Sequence, residues 1–274
     1  MNLFGYSSIL ISISSIVMAI FVLLKGKDRR LGTVWGLFCL GVAVWGIGGI
    51  GISNAKTREE AFIWWQVADI GVILIPILYF HFVYILLNMK NKLLLGTSYI
   101  LGTIFLVFNF LFRDIFLGDL TFIFGQFYWV DWFKKSSYIF LLFYIVFYWI
   151  LLSYAFILLI KSYRYSQGLK RSQLKYFIVG SIIGWIGGET NFLPTFRIYF
   201  YPYFNFLIIL YPIIIAYAII KYRLMDIRVA ITRAGIFLLL YTAILGLPFY
   251  LGYQTNSWVL STSFAATFAT IGPL

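Results

Sequence analysis

The chain alternates long apolar runs with short polar gaps. Nine runs are long and apolar enough to cross a bilayer as helix, which takes ~20 residues. They fall at 6–24, 32–53, 67–87, 93–112, 137–160, 176–193, 205–220, 235–253 and 258–274. The ~10-residue alternating strands of an outer-membrane barrel are far shorter than these runs. The pattern therefore predicts an all-α fold, a polytopic transmembrane bundle of about nine helices.

Composition agrees. The chain is 62% hydrophobic and only 11% charged, against about 25% charged for a soluble domain. The formal charge of +12 would suggest nucleic acid in a soluble protein. Here the gaps account for it, so nucleic acid is not expected as a partner. One set of gaps holds Lys25, Lys27, Arg29, Arg30, Lys90, Lys92, Lys161, Arg164, Lys170, Arg171, Lys175, Lys221, Arg223, Arg228 and Arg233. The other holds Lys56, Arg58, Arg113, Lys134, Lys135 and Arg197, which makes 15 basic residues against 6. The positive-inside rule puts the first set in the cytoplasm and the N-terminus outside. Anionic lipid head groups are the expected partner of the inner gaps.

The first run has no Lys or Arg before it and four after it. A cleavable signal peptide has the opposite polarity, so this run reads as an uncleaved helix. The gap 113–135 is rich in Phe, Trp and Tyr. It reads first as an aromatic belt dipping into the head groups, and second as a lid over an outward pocket. The inner gap 161–175 reads as a loop that sets topology. The chain stops at Leu274 inside an apolar run, which suggests a truncation before a cytoplasmic output domain.

Candidate chemistry is sparse. The one cysteine, Cys39, and the one histidine, His81, exclude thiol clusters and multi-histidine metal sites. No metal and no cofactor is expected. Gly46, Gly48 and Gly51 match G-x-G-x-x-G, but inside a membrane run. Such glycines let helices approach, and Gly180, Gly184 and Gly188, four apart on one face, read the same way. Pro76 and Pro212 interrupt the third and seventh helices and predict kinks. No catalytic constellation is present.

Asp69, His81 and Glu189 are the ionisable residues within the spans. Such groups are expensive in a bilayer, ~2.5–3.5 kcal/mol at its centre, and are functional candidates. His81 reads as a hydrogen-bonded interior residue. Asp69 and Glu189 lie at similar depth near the outer face. With Asn191 and Asn205 at the helix ends and Gln66 at the rim, they form a candidate ligand pocket. Lys221, Arg223, Asp226, Arg228 and Arg233 form a candidate cytoplasmic junction.

Two phrases carry a resemblance. Residues 171–194, RSQLKYFIVGSIIGWIGGETNFLP, and 210–233, LYPIIIAYAIIKYRLMDIRVAITR, resemble the N-terminal seven-transmembrane sensor region of bacterial histidine kinases. Residues 64–87, WWQVADIGVILIPILYFHFVYILL, are similar to helix three of that family. The resemblance covers residues 31–233 and is most specific at YAIIKYRLMDIR, 217–228. It implies a sensor in the bacterial inner membrane that feeds cytoplasmic kinase or diguanylate cyclase domains. It divides the chain into a seven-helix sensor at 1–221, a basic junction at 222–234 and two further helices at 235–274. The stimulus would be a small ligand or a change in the membrane, and a homodimer is an open expectation. The chain departs from the family in lacking a phosphoacceptor box and ATP-binding boxes, so no autophosphorylation is expected of it. The alternative is a multi-pass transporter or a membrane-embedded enzyme. The first commonly shows inverted repeats, and none is evident here.

Overall fold

The computed structural model describes residues 1–25, 29–90, 92–129 and 138–222. The chain divides into two units, Met1–Ile227 and Arg228–Leu274, and every described residue lies in the first. The runs predicted at 235–253 and 258–274, and the junction residues Arg223, Asp226, Arg228 and Arg233, lie outside the described residues.

The first seven runs are helical. They form α1 (Leu3–Lys25), α2 (Arg29–Asn54), α3 (Arg58–Leu86) and α4 (Leu93–Leu111), followed by the short α5 (Arg113–Phe116). The fifth run opens as α6 (Tyr138–Leu142), passes through a π-helical stretch at Phe143–Trp149 and continues as α7 (Ile150–Tyr165). Then come α8 (Gly168–Glu189) and α9 (Leu207–Tyr222). Among the described residues, 5 helices are long and apolar enough to cross a membrane: α1 to α4, and Phe143–Tyr165. Exposed Ile100, Ile104, Phe110, Ile145, Ile150 and Ile157 give these helices apolar outer faces larger than soluble proteins tolerate.

Helix ends depart from the predicted spans for a physical reason: hydropathy marks the apolar stretch, whereas caps mark the helix. α3 starts nine residues before its predicted span because Thr57 caps it. The Thr57 hydroxyl accepts from Glu60 N at 3.2 Å, and the Glu60 carboxylate accepts from Lys56 N at 2.8 Å. Glu59 and Glu60 in the first turn also suit the positive end of the helix. Likewise the predicted loop 161–175 is mostly helix. Lys and Arg are good helix formers, so α7 and α8 extend past the apolar stretch and meet at a turn where Gly168 takes φ +55°.

The helices pack α1 on α2, α2 on α3, α3 on α7, α7 on α8, α8 on α9 and α9 back on α1, with α4 against the flank of α3. Burial follows: 72% of the most apolar stretch of α3 is buried, but only 22% of that of α4. Glycines bring the central helices close. A Cβ on Gly48 would come within 2.6 Å of Ala68, and one on Gly71 within 2.5 Å of the Gly41 carbonyl. Ser8 and Ser12 of α1 occupy the space left by Gly49 and Gly46 of α2. An aromatic cluster of Trp35, Phe38, Tyr79, Phe82, Phe177 and Tyr211 ties α2 and α3 to α8 and α9.

The gap after α5 adds two strands to the expected all-helical fold. β1 (Leu120–Ile123) pairs antiparallel with β2 (Gln126–Trp129), with Leu120 opposite Trp129. The turn between them places Phe124 at φ 56° and Gly125 at φ 75°, the two left-handed positions of a tight type I′ hairpin turn.

Candidate functional site: a polar band at the hairpin end

The hairpin folds onto one end of the bundle. Tyr128 is fully buried, and Leu120 and Gln126 are nearly so. Asn2 caps α1 by accepting from Gly5 N at 3.1 Å, and its amide donates to Gln126 at 2.8 Å. Trp65 Nε1 of α3 donates to the Phe127 carbonyl at 3.0 Å. The Tyr128 hydroxyl donates to the Asn191 carbonyl at 2.6 Å, where α8 has just ended. Asp119, just ahead of β1, pairs with Arg58, and Arg113 with Glu59 at 2.9 Å. The hairpin is thus tied to α1, α3 and the end of α8, with Tyr128 turned inward and Phe122 exposed.

Below the hairpin lies the band that holds the predicted pocket residues. Asn191 and Asn205 are both fully buried and are brought together. Asn191 Nδ2 donates to Asn205 Oδ1 at 3.1 Å, and Asn205 Nδ2 donates to the Ser7 hydroxyl at 2.7 Å. Two 3₁₀ turns, Leu193–Phe196 and Tyr203–Phe206, fold the α8–α9 connection back so that these amides meet. Tyr201 in that connection accepts from Phe4 N at 2.8 Å, so its hydroxyl helps close the start of α1.

Gln66 has a different engagement. Its Nε2 donates to the Asn109 carbonyl at 2.7 Å, while Asn109 Nδ2 donates to the Gln66 carbonyl at 2.9 Å. This reciprocal pair fastens α4 to α3. Glu189 closes α8 and accepts from the Tyr144 hydroxyl, with Tyr148 beside it. Both tyrosines sit on the π-helical stretch and stack on each other at 5.3 Å. Such stretches are rare and cluster at functional sites. Asp69 is fully buried, and neither of its carboxylate oxygens has a hydrogen-bond partner. No hydrogen bond therefore joins Asp69 to Glu189.

His81 lies on α3 toward the opposite end, where its Nδ1 and the Tyr99 hydroxyl of α4 are 2.8 Å apart. Lys221 belongs to the last turn of α9. Lys170 donates to the Leu86 carbonyl at 3.0 Å and so satisfies a free acceptor at the end of α3. Lys170 is half-buried, and desolvation lowers its pKa from the ordinary lysine value.

Sequence reasoning missed Tyr128, Tyr144, Tyr148 and Ser7 as members of the band. Two tyrosines four apart in an apolar run are the signal that could have found the middle pair, because a buried phenol seeks a partner. Among the described residues, no group of His, Cys, Asp and Glu could hold a metal ion.

The model of one protein family, the N-terminal 7TM region of histidine kinase, matches residues 7–228. No curated protein and no solved structure matches the chain.

Proposed function

We propose that this chain, which belongs to the family of N-terminal 7TM regions of histidine kinases, senses a stimulus at its hairpin end and passes it through α8 and α9 to a cytoplasmic output domain. The family match over 7–228 carries this reading. That range begins in the first turns of α1, runs through α9 and reaches into the basic junction. The chain is a multi-pass membrane protein. We place it in the bacterial inner membrane with nine crossings and an outside N-terminus, on the bias of 15 basic residues to 6.

In this arrangement the hairpin faces outward and contacts α1, α3 and the end of α8 at once. A ligand or a change in the bilayer that shifts the hairpin would act first on the Tyr128–Asn191–Asn205–Ser7 chain. It would thereby bias the α8–α9 pair, because coupling needs an element with two arrangements that the stimulus favours differently. α9 ends at Tyr222, and Lys221, Arg223, Asp226, Arg228 and Arg233 form the junction that hands motion on and holds anionic head groups. Asp69, Glu189, Asn191, Asn205 and Gln66 are the groups we assign to the response.

Asp69→Asn and Glu189→Gln keep shape and remove charge, so a full-length fusion with a kinase readout tests the assignment. Loss of response with a normal thermal transition supports it. A lowered transition with normal response reduces both carboxylates to structural roles. Orientation is tested by placing a cysteine at position 170 in a chain lacking Cys39. Labelling from outside intact cells would invert the topology.

A further inference from the structure

A second feature of the bundle lies beside the hydrogen-bonded band and shares Tyr148 with it. A cavity of about 70 Å³ lies between α2, α3, the π-helical stretch, α8 and α9. Its wall includes Trp45, Val72, Tyr148, Trp185, Ser181 and Tyr211. Among the described residues, no charged side chain lines it. Ser181 is fully buried and Tyr211 nearly so, yet neither hydroxyl has a hydrogen-bond partner. The buried Tyr79 hydroxyl lies within reach of Ser181 and Trp185, and Tyr211 within reach of Ser181, yet none of the three hydroxyls makes a hydrogen bond of ordinary geometry. Buried hydroxyls ordinarily find partners, and a native structure leaves few exceptions. Here two line one cavity and a third lies close by.

Gly188 explains part of the opening. The expected packing face of α8 holds at Gly180 and Gly184, where an added Cβ would meet α9 side chains at 3.1 Å. At Gly188, which lines the cavity, an added Cβ would meet nothing within 4 Å. At Gly187, by contrast, an added Cβ would meet the Phe204 carbonyl, in the turn before α9, at 2.7 Å. Gly188 thus leaves space that no neighbouring helix uses.

We propose that this cavity binds a small uncharged amphiphile, a compact aliphatic body bearing one hydroxyl or carbonyl that pairs with Ser181 and Tyr211. The apolar walls supply the contact area and the hydroxyls fix orientation, the usual division of labour in a ligand site. A charged ligand would lose its hydration without a counter-charge. Size follows from volume: one water needs ~10–15 Å³ on this scale, so the cavity as it stands takes a body of roughly five or six heavy atoms. The inference concerns binding alone and holds whether or not the chain signals.

The probe is 3-bromopropan-1-ol, of five heavy atoms, whose bromine quenches Trp45 and Trp185 on the wall. The measurement is tryptophan fluorescence of the whole chain in lipid nanodiscs. Saturable quenching is expected in the wild type. In the Ser181→Ala, Tyr211→Phe double variant the affinity should fall tenfold or more. In Gly188→Leu, which fills the cavity, the saturable part should vanish while helix content is kept. Gly188→Ala, smaller, should weaken binding and serves if the leucine variant does not fold. Non-saturable quenching, equal in all variants, would mean partition into lipid and overturn the site. 1-Bromopropane binding as tightly as 3-bromopropan-1-ol would overturn the role of the hydroxyls and make the cavity a seat for a lipid tail.

Discussion

The α1–α3 side of the bundle and the α7–α9 side are built on opposite principles. On the first, glycines bring backbone against backbone, as at Gly71 and Gly41, and serines fill what remains. On the second, bulky aromatics from the π-helical stretch, α8 and α9 stand around a cavity, and buried hydroxyls are left without partners. Close packing gives one well-defined arrangement, because interiors at crystal density do not deform continuously. A side with free volume and unused donors can hold more than one. The difference places rigidity at the start of the chain and adaptability next to α9, the helix that leads to the junction.

The sharpest way to break this comparison is to overfill both sides. Gly71→Leu would drive a side chain into the Gly41 carbonyl and the Trp45 amide, 2.5 and 2.9 Å from the first added carbon. Backbone cannot step aside as a flexible side chain can. The loss should be about 3 kcal/mol or more, at the upper end of overpacking costs, read as a large drop in thermal midpoint. Gly188→Leu adds the same volume where a Cβ meets nothing and should leave the midpoint nearly unchanged. Equal drops would erase the distinction.

Next is the amide chain that ties the two sides together at the hairpin end. Asn205→Leu removes the acceptor of Asn191 and the donor to Ser7. It leaves Asn191 buried with fewer partners, and such orphaned groups cost ~1–3 kcal/mol. A destabilisation within that range is expected by thermal unfolding. Asn191→Leu should cost a similar amount, and the double variant less than the sum, since both belong to one network. Full additivity would mean that the two amides act separately.

How much of this could be read beforehand differs between the two sides. The glycines of α2 announced close approach, because a run of small residues in a membrane helix has few other uses. The amides Asn191 and Asn205 were legible as flanking the ends of two adjacent helices. Gln66 was not, because its partner Asn109, a lone amide in the run 93–112, went unread as a polar group needing satisfaction. The hairpin was hidden because its turn uses Phe124–Gly125 in place of the Asn-Gly pair that signals such turns. The π-helical stretch and the cavity have no signature in hydropathy at all. They arise from how aromatic side chains of three distant segments meet.

The Gln66–Asn109 pair gives a smaller test. α4 is the least buried of the four opening helices, and this pair is one of its few polar attachments. Gln66→Met keeps the length of the side chain and removes the donor. It should cost about 1 kcal/mol, the net worth of an ordinary hydrogen bond. The readout is faster proteolysis of the segment around α5, with the global transition shifted by a few degrees at most. A large shift would mean that α4 is integral to the core.

Asp69 is where the comparison is most exposed. It sits on α3, beside the close-packed α2 face where Ala68 meets Gly48, yet its carboxylate is unpartnered like the hydroxyls of the other side. Its position is about eleven residues into the helix, ~16 Å along the axis from Arg58. If it served packing, its removal would cost stability. A buried polar group with no partner contributes no hydrogen bond, and replacing it by an apolar residue of similar size is commonly neutral or stabilising. Asp69→Leu should therefore leave the thermal midpoint unchanged or raise it by the equivalent of ~1 kcal/mol, the smallest effect of the set. In the full-length fusion the same variant should lose its response. Stability retained together with response retained would leave this carboxylate without a role in either side. A clear loss of stability would show a partner that forms only in the membrane, and would return Asp69 to the rigid half of the bundle.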